Sequence, residues 1–161
     1  AKLIYSAPAT PENIKVYRAT GTKELDNYMD ALEKNPSIMD EVGHKGEIYD
    51  PEICFGIKYK GDENGRAYTL QDTKDGACYV SHPIDILSNG VRWISRTKNE
   101  DSMGMVLPAT AEHIGYENAR STGQLKIIDA DSSVKFTMEA GYISPEEADI
   151  IKSKIADILN N

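Results

Sequence analysis

Polar and apolar residues alternate along much of the chain, and the period of that alternation changes at a few places. Leu3-Ile4-Tyr5 reads as a short strand ended by Ala7-Pro8, and Ile14-Lys15-Val16-Tyr17 as a second. From Thr22, placed as an N-cap, the period lengthens. Leu25, Tyr28, Met29 and Leu32 then fall on one helical face, which predicts a helix over 22–34. Pro36 closes that helix or opens the next turn. Ser37 would cap a short turn through Ile38, Met39 and Val42, stopped by Gly43.

Residues 47–107 read as antiparallel strands: Ile53–Tyr59, Ala67–Leu70, Ala77–Ser81, Val91–Arg96 and Met103–Leu107, the last closed by Pro108. The turns between them carry Asn64-Gly65, Asp75-Gly76 and Asn89-Gly90. Such close-spaced strands favour a meander or sandwich over a parallel sheet. Tyr116–Thr122 predicts a short helix ended by Gly123, and Leu125–Ile128 with Val134–Met138 a strand pair. The last helix, 145–159, has the clearest start: Ser144 as N-cap, Pro145 at the first position and Glu147 completing a capping box. Its stripe of Ala148, Ile151, Ile155 and Ile158 would pack on the sheet or, alternatively, on a second copy. The expected fold is one α+β domain over 1–161: mainly antiparallel β, a sandwich-like meander with a C-terminal amphipathic helix. Phe55, Ile57, Leu70, Val80, Ile94, Ile127, Phe136, Ile151 and Ile155 are its expected core.

Charge narrows the partners. The 161 residues carry 18 Lys+Arg against 26 Asp+Glu, a net charge of −8, which argues against nucleic acid and against an anionic membrane. Cys54 and Cys78 read as buried free thiols, and no Cys-x-x-Cys pair suggests structural zinc. No stretch approaches the roughly 20 apolar residues of a membrane span. With no signal-like amino terminus and no glycosylation sequon, the expected compartment is cytoplasmic.

The chemistry on offer is modest. Phosphate-binding loops, dinucleotide fingerprints and nucleophile elbows are all missing from the sequence, so no cofactor is expected. His82, before Pro83 at a strand end, could serve as a general acid near neutral pH or be an ordinary histidine. Glu112 and His113 sit in a loop of the kind that builds binding sites, or are two solvated side chains. Arg92 and Arg96 share one strand face and could hold ligand oxygens, or pair with acids. Trp93, the only tryptophan, lies beside them and could be core. His44 and Glu47, with Asp50 and Glu52 close by, form a weak cation pattern.

The segments Val91–Thr97, Gly104–Glu112 and Gly115-Tyr116 resemble the C-terminal part of aldose 1-epimerase-like proteins, the galactose mutarotase superfamily, over roughly residues 47–143. The resemblance implies a β super-sandwich that seats a sugar in a cleft of its sheet. It also implies anomer interconversion by a histidine acid and a carboxylate base, without a cofactor. His82 and Glu112 would be that pair, Arg92 or Arg96 would orient hydroxyls, Trp93 would stack on the ring, and His113 would be a further substrate-binding residue. The family's His-x-Tyr-Phe-Asn motif is absent, and Leu107 stands where many relatives carry an acid. Three readings follow: a sugar-binding or mutarotase-like protein, monomeric or a homo-oligomer; a non-enzymatic β-rich ligand- or protein-binding domain; and a metal-dependent enzyme around His44, Glu47 and Asp50.

Overall fold

A computed structural model of the chain describes residues 1–17, 23–41, 49–96, 99 and 101–161. Eight strands appear: β1 (Lys2–Tyr5), β2 (Ile14–Tyr17), β3 (Tyr49–Ile57), β4 (Arg66–Thr73), β5 (Gly76–Pro83), β6 (Asn89–Arg96), β7 (Asp101–Ala109) and β8 (Glu139–Ile143). Among them lie α1 (Lys23–Lys34), a 3₁₀ turn (Pro36–Asp40), α2 (Tyr116–Ser121) and α3 (Pro145–Asn160). The strands form two four-stranded sheets, in the orders β1-β4-β5-β8 and β2-β3-β6-β7, with every pairing antiparallel. The fold is α+β and mainly antiparallel β, as the pattern predicts. The strands are not a simple meander, because consecutive pairs are dealt to alternate sheets.

Alternation sorts each strand's side chains between two neighbours. On the first sheet, Leu3, Tyr5 and Ala67 point into a core shared with Ile14, Ile53, Phe55, Ile57 and Ile94 of the second sheet. Its opposite face, with Ile4, Tyr68, Leu70, Ala77 and Tyr79, receives Ala148, Ile151, Ile155 and Ile158 of α3. The helical stripe thus packs on the sheet. Its start holds the predicted capping box, with Ser144 and Glu147 bonding reciprocally at 3.2 and 2.9 Å. Two lysines fasten it further: Lys152 meets Asp72 at 2.9 Å and Lys154 meets Asp62 at 2.7 Å. α1 contributes Met29 and Leu32 to the inter-sheet core. The side chains of Leu25 and Tyr28, and the Thr22 cap, lie outside the described residues.

Two of the three predicted turns follow their residues, while Asn89-Gly90 opens β6 instead and the chain turns over 84–86. Asp62 accepts from the Asn64 and Arg66 amides at 3.0 Å each, folding the β3–β4 loop around Gly65 at φ 70°. Gly76 turns β4 into β5 at φ 142°, a conformation that glycine alone adopts cheaply. β7 runs through Pro108 instead of stopping before it. It is an edge strand, the place in a sheet where proline is tolerated.

Two expectations fail together. Residues 125–128 and 134–138 form no strand pair, and Ile127 and Phe136 are 85% and 46% exposed, not core. Strand propensity is only potential until a partner edge is present. The strand actually formed, β8, lies just beyond and pairs with β5. Val80 and Ile151 are partly buried, while Phe55, Ile57, Leu70, Ile94 and Ile155 are buried as expected. Both cysteines are free, but Cys54 is half-buried and Cys78 exposed, not buried as expected. Among the described residues, no helix is long and apolar enough to cross a membrane.

Ile155→Ala leaves a cavity between α3 and the first sheet, so it should lower unfolding free energy by about 2–5 kcal/mol, read by urea denaturation.

Candidate functional site

The predicted acid–base pair is not brought together. His82 is 0% exposed and faces the inter-sheet core opposite Ala67, with its ring edge-on to Tyr59 at 5.0 Å. Neither ring nitrogen has a hydrogen-bond partner among the described residues. Burial, with the nearby Arg66 charge adding to it, pushes its pKa from 6.5 down to about 4, so the ring is neutral at pH 7. Glu112 lies across the second sheet, against the face of β2 opposite Ile14 and Val16.

Arg92 also turns inward. It is 1% exposed, Nη1 donates to Asp40 Oδ1 at 2.8 Å, and its guanidinium lies 4.6 Å from the Tyr5 ring centroid. The Tyr5 hydroxyl donates to the other Asp40 oxygen at 3.1 Å. Arg92 is therefore an internal ion-pair partner and does not meet ligand from this position. The Arg96 side chain, His44 and Glu47, and the Asp50 side chain lie outside the described residues.

The other candidates gather on the outer face of the second sheet. Period-2 alternation puts Lys15 and Tyr17 there. The register sets Tyr17, Cys54, Trp93 and Gly104 in one row across the sheet, and Lys15, Gly56, Val91 and Leu107 in the next. Neighbouring strands are about 4.8 Å apart, so Tyr17 and Trp93 stand roughly 10 Å apart with small Cys54 between them. Gly56 leaves room for the Tyr17 ring: a Cβ there would lie 3.1 Å from it.

The loop after β7 closes over this row. The Tyr17 hydroxyl donates to Glu112 Oε1 at 2.8 Å, Gln124 Nε2 donates to Oε2 at 3.3 Å, and Lys15 Nζ lies 3.7 Å away. The Glu112 amide in turn donates to Gln124 Oε1 at 2.7 Å. His113 meets the Tyr17 ring edge-on at 4.3 Å. The Tyr17 hydrogen bond, against some desolvation and helped by Gln124 and Lys15, holds the Glu112 carboxyl below its ordinary pKa. Desolvation and the same Glu112 contact push the Tyr17 phenol above its own. The carboxylate stays charged and the phenol protonated at neutral pH. Beside them opens a cavity of about 240 Å³, lined by Lys15, Gly56, Asn89, Val91 and Glu112 among others.

Of the predicted site residues, Glu112, His113 and Trp93 thus share this face. Lys15, Tyr17 and Gln124 are additions. The alternation of 14–17 already separated Lys15 and Tyr17 from the core face, but nothing in the sequence says which loop that face meets. Among the described residues, no group of three or more His, Cys, Asp or Glu side chains is placed to hold a metal.

No family profile matches the chain, and no curated protein matches it. Its fold is shared with a crystal structure from Klebsiella pneumoniae described as "a putative aldose 1-epimerase", at TM-score 0.72 and 15% identity over 98% of this chain. The chain spans 38% of the length of that protein. At this identity the likeness is one of fold.

The buried groups predict two stability effects. Below pH 6.5 the unfolded chain protonates His82 and the folded chain does not, so stability should fall from about pH 6.5 to about pH 4 and level off below. That limb is worth about 3 kcal/mol, and His82→Phe should flatten it in pH-resolved denaturant melts. Asp40→Ala strands the Arg92 charge in the core and should cost about 3–5 kcal/mol by the same measurement.

Proposed function

We propose that residues 1–161 act as one sugar-binding domain, with the sugar seated on the outer face of the second sheet. The observation that carries this reading is the Glu112 carboxylate, held charged beside an open cavity in the same face as Tyr17 and Trp93. A carboxylate with fixed orientation accepts short hydrogen bonds from paired hydroxyls, and an indole face covers the apolar C–H side of a pyranose. Lys15, Asn89 and Lys58 line the same cavity and supply donors. A mostly polar, preformed pocket of this kind orients a small hydrophilic ligand. The fold shared with the Klebsiella protein supports a carbohydrate ligand for this site.

Anomer interconversion is the finer form of this reading. It needs a base for the anomeric hydroxyl and an acid for the ring oxygen. Glu112 is the base candidate. The acid role falls to His113, adjacent in the same loop, since His82 is on the far side of the sheet. A carboxylate held below its ordinary pKa is a weak proton acceptor, which favours binding over turnover.

Thermal shift and calorimetry on free and phosphorylated aldoses, with polarimetry alongside, test both forms. A sugar at about 100 times its Kd should stabilise the protein by about 2.7 kcal/mol. Glu112→Gln should weaken binding about tenfold or more, Trp93→Ala several-fold, and His82→Phe not at all. No response to any sugar, or equal loss in the His82 variant, overturns the site. Binding without faster mutarotation means a sugar-binding module.

A further inference from the structure

An exposed apolar arm leads away from the sugar face. Residues 126–142 are exposed throughout, and they include Ile127 at 85%, Ile128 at 55%, Val134 at 49%, Phe136 at 46%, Met138 at 43% and Tyr142 at 61%. Monomer surfaces rarely leave such a run of large apolar side chains uncovered. Among the described residues, the arm's contacts over 126–138 are slight. Ser132 bonds the Asp129 carbonyl, with the turn at Asp131 in the left-handed region, and Arg66 Nη1 donates to the Thr137 carbonyl at 3.1 Å. β8, which continues the arm, uses one edge for β5 and is the last strand of its sheet, so its other edge is unpaired among the described residues.

We propose that this edge, prolonged through residues 134–138, pairs antiparallel with the same edge of a second copy of the chain. The sequence Val134-Lys135-Phe136-Thr137-Met138-Glu139-Ala140-Gly141-Tyr142 is self-complementary about Met138. Continuing the β8 pleat puts Val134, Phe136, Met138, Ala140 and Tyr142 on one face. In a two-fold pairing, Val134 meets Tyr142, Phe136 meets Ala140, and Met138 meets its own copy. The other face carries Lys135 and Glu139, and there Lys135 lies diagonal to Glu139 of the second copy. Opposite charges at that spacing support pairing, whereas like charges would block it. Glu139 is already oriented on that face by the Tyr79 hydroxyl, which donates to it at 3.1 Å. The result is an isologous contact in which two four-stranded sheets merge into one. A foreign strand would gain the backbone bonds but not the charge match.

Light scattering on the eluting protein across micromolar concentrations should give twice the chain mass. Lys135→Glu sets like charges against each other and should weaken the dimer at least about tenfold. Adding Glu139→Lys should restore it, an outcome that a folding defect would not produce. Amide exchange over 134–142 should slow on dimerisation. A chain mass that stays monomeric overturns the proposal. So does a dimer indifferent to Lys135→Glu, or a monomer that binds an unrelated extended peptide at this edge.

Discussion

The inter-sheet layer is organised around one buried charge. Arg92 sits in the core with the Asp40 carboxylate 2.8 Å away, its one acidic partner among the described residues, and the Tyr5 ring flanks its guanidinium. The contact ties the 3₁₀ turn to the second sheet and, through the Tyr5 hydroxyl, to the first. Burying a charge is costly unless its partner is held in place, so this pair ties the position of Pro36–Asp40 to that of both sheets. It also commits the Arg92 side chain to the interior. Neutral, enclosed His82 belongs to the same layer.

The two outer faces differ in what covers them. The outer face of the first sheet is covered by α3, which the Lys154–Asp62 and Lys152–Asp72 pairs fasten at two places. The outer face of the second sheet is different. In the row across the strands only small Cys54 stands between Tyr17 and Trp93, and Gly56 in the next row lets the Tyr17 ring lie against the sheet. The loop carrying Glu112 and His113 supplies the polar rim.

Residues 125–138 show the limit of local pattern. Their alternation and β-branched content describe two strands, and the chain does leave its turn where Asp129–Ser132 placed it. Strands need a neighbour's backbone, however, and none lies alongside within the described residues. Ile127 and Phe136 are therefore surface, although by composition they are core. Helices are less exposed to this error because their hydrogen bonds are internal to the segment. The Ser144–Glu147 box and the Ala148–Ile158 stripe accordingly appear where the sequence puts them.

The sequence alone determined the helices, whose contacts lie a few residues apart, and most strand positions and the Gly65 and Gly76 turns, whose signals are local; the antiparallel class followed from strands too closely spaced for crossover connections. It also singled out Glu112, His113 and Trp93 as residues of interest. Only the tertiary structure decided which of them meet. His82 and Arg92 follow the same alternation as Trp93 and Tyr17, and alternation cannot say which of a strand's two faces will be covered. That choice came from the dealing of consecutive strand pairs to two sheets, a set of contacts between residues far apart in the chain.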